Sequence, residues 1–429
     1  MKIRTWIVGI AALAMSGNGA AAQTQATDWS YDNNVKAVGC CEDSCCGDDS
    51  CCDFDPCCGD ACCGDGVGCG SGCGVGGALA GMSLAGALGL EDSGLVVGGW
   101  TQVGYHDEQT ELSNTFDDGL AFNDLQDRIN LHQQYFFLGK DADGSDGWDW
   151  GFRTDVMYGT DAQKTQAFGN PGAGTRGFGS YDASLDHGYY GWAIPQAYAE
   201  LENGDFNVKI GKFYTLVGYE VVTAPDNFFY SHSLTMFNSE PFTHTGVLTS
   251  YTGFGGLTLY NGWTAGWDTG FDNTLGGSNY LGGFGLDISD NLSFTYITTY
   301  GNFGARDGGQ DDSYSHSIVI AASLTDRLEY VFQSDLVGID ATADNGTQIG
   351  SNDQTGINQY LFYQWNDRVK LGSRMEWWKS DGTSHYELTS GVNFSVLDNL
   401  VVRPEYRMDW APGLDVDRDT IGIDAILTY

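Results

Sequence analysis

Cationic side chains are scarce in this chain: 19 Lys and Arg stand against 57 Asp and Glu, a formal net charge of -38. Nucleic-acid binding needs a basic footprint, so the composition argues against it. Long apolar runs are also missing. The longest, Trp6–Met15, falls short of the ~20 residues that a helical membrane span requires. Proline is limited to 7 residues, and no cysteine occurs after Cys73. Glycine is plentiful at 62 residues, and 13% of the chain is aromatic, which suits strands and turns better than helices. A transmembrane β-barrel hides its hydrophobicity by alternation, so the modest apolar content does not exclude a membrane.

Residues 1–22 read as a secretory signal. Lys2 and Arg4 open it, Trp6–Met15 is its apolar core, and Ala20-Ala21-Ala22 offers a small-residue cleavage site before Gln23. Residues 23–94 form a separate tract that holds all 12 cysteines. They fall as Cys40-Cys41, Cys45-Cys46, Cys51-Cys52, Cys57-Cys58 and Cys62-Cys63, then Cys69 and Cys73, with Asp and Gly between them. Such a segment cannot bury a core and is expected to be disordered or covalently knotted. An even count in an exported chain favours disulfides, within or between chains. Thiolate metal binding is the alternative, although the spacing lacks the two-residue gap of a zinc ribbon. Gly76–Leu90, small and apolar, reads as a linker, or as a short helix plugging or docking on the C-terminal region.

From Leu95 onward apolar residues recur at every second position. In Thr420–Tyr429, Ile421, Ile423, Ala425, Leu427 and Tyr429 share one face, while Thr420, Gly422, Asp424 and Thr428 take the other. Ile426 intrudes on that polar face. Ile129, Leu131 and Tyr135 alternate with Asn130, His132 and Gln134, and Trp150, Phe152, Val156 and Tyr158 with Gly151, Arg153 and Asp155. A soluble sandwich also alternates, but its polar face looks out to water. Here the polar parity carries Arg153, Asp155, Glu329, Asp335, Lys370, Arg374, Glu376, Arg403, Glu405, Arg407 and Asp409. The apolar parity is almost free of charge, with Lys212 the main exception. Lipid outside and water inside would sort residues in this way. Residues 95–429 are therefore expected to form an all-β, transmembrane, antiparallel up-and-down barrel of about sixteen strands, those ionisable residues lining its pore. Pro404 sits mid-strand on the lipid parity and predicts a bulge.

The connections alternate in length. Short turns at Asn203-Gly204-Asp205, Ser289-Asp290-Asn291, Thr325-Asp326-Arg327, Asn366-Asp367-Arg368 and Leu397-Asp398-Asn399 alternate with longer segments. The longer ones are His106–Arg128, Gly159–Gly188, Thr215–Thr243, Asp268–Ser278, Asn302–Ser313 and Gly338–Gln354, and only Lys379–Ser384 is brief. With both termini periplasmic, every short turn lies on the periplasmic side, as in outer-membrane barrels. Tyr105, Tyr158, Tyr251, Trp267, Tyr300, Trp365, Trp377 and Tyr429 stand at strand ends, where two aromatic girdles are expected.

Several stretches resemble a known family. They are Phe122–Phe137 (FNDLQDRINLHQQYFF), Asp155–Asp161, Ile194–Leu201, Lys209–Ser233 (KIGKFYTLVGYEVVTAPDNFFYSHS), Pro241–Gly246 and Gly262–Asp268. Over about Leu95–Tyr429 the chain resembles the beta-barrel porin-2 (OmpL-like) proteins common in planctomycete-type bacteria. The resemblance implies a pore-forming barrel in an outer membrane. It implies nothing about the cysteine tract.

Thr215–Thr243 is the third external loop. By analogy with general porins it is expected to fold inward and narrow the channel, with Glu220, Asp226 and Glu240 facing Arg153, Arg374, Arg403 and Arg407 across a transverse field. The alternative has Phe228, Phe229 and Tyr230 packing the loop on the rim. His132, His232 and His244 come with no nucleophile elbow, metal signature or phosphate loop, so neither an enzyme nor a cofactor is expected. Asp141–Asp149 (DADGSDGWD) reads as an acidic turn, because its sixth position is Asp146 where a calcium loop wants Gly. The expected function is passive diffusion of small hydrophilic solutes or ions through an outer-membrane channel of weak cation preference. A structural or surface barrel cross-linked through its cysteines is the alternative. Expected partners are outer-membrane lipid, the barrel-assembly machinery through the strand ending at Tyr429, and, by analogy, further copies of the chain. The expected location is the outer membrane of a Gram-negative-type bacterium.

Overall fold

Tyr429 closes the chain onto its own first strand. Its amide donates to the Gly99 carbonyl at 3.0 Å, and its carbonyl accepts from the Gly99 amide at 2.9 Å. β1 (Val96–His106) and β16 (Val416–Thr428) pair antiparallel with Val103 opposite Ala425. Between them run β2 (Asn130–Lys140), β3 (Asp149–Gly159), β4 (Gly191–Asn203), β5 (Phe206–Tyr214), β6 (Thr243–Tyr251), β7 (Leu257–Thr264) and β8 (Ser278–Ser289). β9 (Leu292–Asn302), β10 (Ser313–Thr325), β11 (Leu328–Thr342), β12 (Gln348–Asn366), β13 (Val369–Ser380), β14 (Thr383–Leu397) and β15 (Leu400–Ala411) complete the set. Each strand pairs with its sequence neighbours in one closed barrel. The computed structural model describes residues 83–108, 122–167, 182, 186–271, 276–306, 309–342, 348–380 and 382–429. The signal segment and every cysteine lie outside the described residues.

Alternation sorts the side chains as a lipid-facing barrel requires. Ile421 and Ile423 are exposed on the outer surface, whereas Ile426 is buried inside among Trp100 and Tyr135. The five short turns read from the sequence join β4 to β5, β8 to β9, β10 to β11, β12 to β13 and β14 to β15. Before β1, Leu84–Leu88 forms a helix, α1; Ser83 Oγ accepts from the Gly86 amide at 3.2 Å, and Gly89 ends it at φ 66°. Asp141–Asp149 is a turn in which Asp143 accepts from the Ser145 amide and Asp149 holds Lys140 at 2.8 Å.

The structure departs from the sequence reading at five places. Tyr135 points inward, because a bulge opposite Gln102 and Val103 shifts the parity of β2 after Leu131. Trp267 is buried against Phe303, with ring centroids 4.2 Å apart, and so joins no girdle. Residues read as a long loop, Gly338–Gln354, are mostly strand, since β11 runs to Thr342 and β12 starts at Gln348. Pro404 produces no bulge. The β14–β15 pairing lapses between Gly391–Glu405 and Phe394–Val402 and resumes in the same register, while Pro404 stays opposite Ile423 in β16. The missing N–H thus costs a local gap in the ladder rather than an extra residue. Lys212 keeps the outward parity of Ile210 but is fully buried, close enough to Asp182 and Asp268 of two external loops to feel their charge.

An arginine on the lipid face tests the barrel's placement. Ile423→Arg is expected to lower the unfolding free energy in lipid vesicles by about 2–4 kcal/mol, and Val396→Arg, at the strand end beside the short β14–β15 turn, by about 0–1. Equal effects in a urea titration would contradict the assigned membrane depth.

Candidate functional site

The loop from Thr215 to Phe242, between β5 and β6, lies inside the barrel. Its sequence contains Glu220, Asp226 and Glu240 but no Lys or Arg. Where the loop is packed against the wall its backbone groups are shielded from water, so the wall must bond them. Two wall carboxylates take its amides. Glu405 on β15 accepts from the Tyr230 and Ser231 amides at 2.8 and 3.0 Å. Glu376 on β13 accepts from the Leu234 and Thr235 amides at 2.6 and 2.7 Å. Those two amides open the loop's helix, α3 (Leu234–Ser239), and have no partner within it.

Three wall arginines take the loop's carbonyls. Arg403 donates to Ala224 and Asn227, Arg407 to His232, and Arg374 to Ser231 at 2.9 Å. Each also holds a carboxylate: Arg403 with Asp424 on β16, Arg407 with Asp409, and Arg374 with Glu387 at 2.7 Å and loop Glu220 at 2.6 Å. A planar guanidinium suits this double duty, since it presents several donors in fixed directions. On β2, Gln133 donates to the Val222 carbonyl and accepts from the Ala224 amide.

Aromatic side chains complete the fit. Phe228 lies on Gly372 of β13, where any Cβ would overlap its ring. Tyr230 fills a notch over Gly104 and Gly422, and its hydroxyl meets His132 Nε2 at 2.6 Å. On the other side Val217 packs with Leu248, Tyr260, Leu281 and Ile297. Two described pieces of the first and second long connections pack against the loop, Phe122 and Ala162 sharing a cluster with Val222, Phe237 and Phe242. Phe122 stacks on His232 with centroids 4.9 Å apart, and Lys164 of α2 (Ala162–Thr165) pairs with Asp124 at 2.5 Å.

The predicted charged residues therefore separate into groups. Arg374, Glu376, Arg403, Glu405, Arg407 and Asp409 are inward-facing, buried and bonded to the loop or to one another. Glu220 meets Arg374 in direct contact. Among the described residues the Glu240 carboxylate forms no ion pair with an arginine, Arg306 reaching only its backbone carbonyl; the carboxylate shares Gln333 with Asp335. Asp226 reaches water, and Arg153, which is paired with Asp155, is the cation whose charge it feels. Lys370 and Glu329 form a half-exposed pair at 2.8 Å. On the short-turn side of the loop, Gln196, Asn207, Lys209, Tyr214, Ser250 and Thr258 help line a cleft of about 130 Å³. His132, His232 and His244 bond to Asp161, the Val221 carbonyl and Thr215, as parts of the loop packing. Sequence reasoning missed Asp424, Glu387, Gln133 and Gln333. The first two lie on polar parities and were visible as such, but their partners depend on strand register. The glutamines carried no signal.

Arg374→Met removes the counter-charge of buried Glu220 and Glu387, which costs about 3–5 kcal/mol. The expected outcome is a barrel that stays folded by its gel mobility but is cut by chymotrypsin at Phe228–Tyr230, where the parent resists. Equal resistance would show that this arginine does not hold the loop.

The fold is similar to that of the outer membrane channel DcaP of Acinetobacter baumannii, with a TM-score of 0.53 and 10% identity over 78% of this chain and 97% of that one. Salmonella typhi OmpF, solved with daunomycin, gives 0.53 and 12% over 78% and 97%. The anion-selective porin from Comamonas acidovorans gives 0.52 and 11% over 78% and 99%. At such identities the likeness is one of fold. No curated protein matches the chain. A family model described as "Putative beta-barrel porin-2, OmpL-like" matches residues 94–425, and the chain belongs to that family.

Proposed function

We propose that this chain is an outer-membrane porin through which small hydrophilic solutes or ions diffuse passively, with residues 215–242 as its constriction. The observation that carries this reading is the third loop itself, bonded inside a closed barrel whose inner face is polar. Arg153, Lys209, Asp226, Glu329 and Lys370 are among the charged groups that a solute would meet in water. The buried charges Asp155, Asp335, Arg374, Glu376, Arg403, Glu405, Arg407 and Asp409 would support the constriction rather than touch the solute. Together with the net charge of -38, the exposed Asp226 favours cations.

The same reading includes export by residues 1–22, a cysteine tract at 23–94 held by disulfides, and an outer face of the barrel in contact with outer-membrane lipid. It also includes assembly through the strand ending at Tyr429 and association with further copies of the chain. No reaction is assigned. A second reading, a capped barrel with a structural or surface role, is favoured by one observation: Phe122 and all four residues of α2 are buried, Phe122 and Ala162 in one cluster with Val222, Phe237 and Phe242 of the third loop.

Planar-bilayer recording of the refolded protein under a salt gradient separates the two. Stepwise openings with a cation-selective reversal potential are expected, and silence from folded, inserted protein would favour the capped barrel. Asp226 still reaches water, but the narrowed lumen around it is poorer in solvent than bulk water, and this desolvation raises its carboxyl to about 6. Cation preference should therefore fall as pH drops through about 6, and Asp226→Asn should flatten that step. A pH response unchanged in the variant would remove Asp226 from the selectivity mechanism.

A further inference from the structure

Where the third loop meets β10–β13, the wall carries more carboxylate than it can neutralise. A single nitrogen, Gln333 Nε2, donates to both Glu240 Oε1 and Asp335 Oδ2, each at 2.6 Å. The nearby guanidiniums are engaged elsewhere. Arg374 holds Glu220 and Glu387, while Arg306 bonds Asp268 and the carbonyls of Asn238 and Glu240. Glu376, two strands on at β13, is committed to the α3 amides.

Asn358 adds an independent observation. It stands directly opposite Gln333 on β11 and opposite Glu376 on β13, on the inner face and fully buried. Neither its Oδ1 nor its Nδ2 has a hydrogen-bond partner. Two residues along β12, the Tyr360 hydroxyl, also buried and unpartnered, lies within the electrostatic reach of Glu220, Glu240 and Glu376. Asp335 Oδ1 is a further buried acceptor without a well-formed bond. On the loop side, Gly218 at φ 91° leaves the space that the Glu240 carboxylate fills. Buried polar atoms are normally bonded, so unpartnered oxygens beside two carboxylates call for a shared partner.

We infer that Glu240, Asp335 and the Asn358 carbonyl oxygen bind a divalent cation of the calcium type, which fastens the third loop to the wall. Hard cations take carboxylate and amide oxygens, and the calcium ion accepts irregular sets of them. A proton on one carboxyl would relieve their repulsion but would leave Asn358 and Tyr360 unserved. The inference concerns binding alone and holds whether or not the barrel conducts.

The test is calorimetric titration of chelator-treated, detergent-folded full-length protein with calcium chloride. One site per chain is expected above the weak background of surface acids. Asp335→Asn and Glu240→Gln should each abolish it, and Asn358→Val should weaken it by about 10-fold or more. Calcium should also raise the thermal midpoint of the parent and leave that of Asp335→Asn unchanged. A parent that binds no calcium at this site, or binding that survives in both carboxylate variants, would overturn the inference. So would a gain in stability of Glu240→Gln over a calcium-indifferent parent, which marks a shared proton instead. Loss of channel openings with calcium binding intact would count against the porin reading only.

Discussion

A loop that enters a barrel must find partners for its backbone there, and this requirement organises the interior of the protein. Residues 215–242 expose amides and carbonyls where neither a strand ladder nor bulk solvent can take them. The wall answers mainly with carboxyl and guanidinium groups, joined by the neutral Gln133. Glu376 and Glu405 receive pairs of successive amides, and Arg374, Arg403 and Arg407 reach carbonyls. Charge-assisted bonds of this kind are short and strong, but a charge left alone in the same place would be costly. Hence each arginine also grips a carboxylate, and the network is tied across neighbouring strands: Arg403 to Asp424 joins β15 to β16, and Arg374 to Glu387 joins β13 to β14.

Shape obeys the same constraint. Phe228 and Tyr230 are large, and they fit only because the wall is glycine beneath them, at Gly372, Gly104 and Gly422. Glycine in a strand is usually a weakness, because it contributes no side chain to pack. Here the packing partner is supplied by the loop. The outer surface obeys a separate rule: apolar residues face lipid there, and the outward Lys212 is buried close to Asp182 and Asp268. The two faces of one strand thus answer to different solvents, and period-two alternation is what allows them to.

Much of the fold was legible in the sequence because it depends on local pattern. Alternating polarity, turn residues at Asn203-Gly204-Asp205 and its counterparts, and connections sorted by length each derive from period two and chain reversal. The misreadings share a cause. At Tyr135 a single bulge reversed the parity, and at Pro404 a local gap in pairing took the place of a bulge. Both outcomes turn on how one strand sits against another, and no stretch of sequence carries that information alone.

An outer-membrane-type barrel, the parity of its charged residues and the identity of the long third loop were thus all written in the sequence. They were readable there because lipid and water impose opposite demands on neighbouring residues of every strand. The folded molecule alone reveals that Glu220 touches Arg374, that Glu240 shares Gln333 with Asp335, and that Asp226 alone of the three loop acids is exposed to water. Those choices arise where a loop meets strands up to more than a hundred residues away, and there proximity is set by register and closure rather than by pattern.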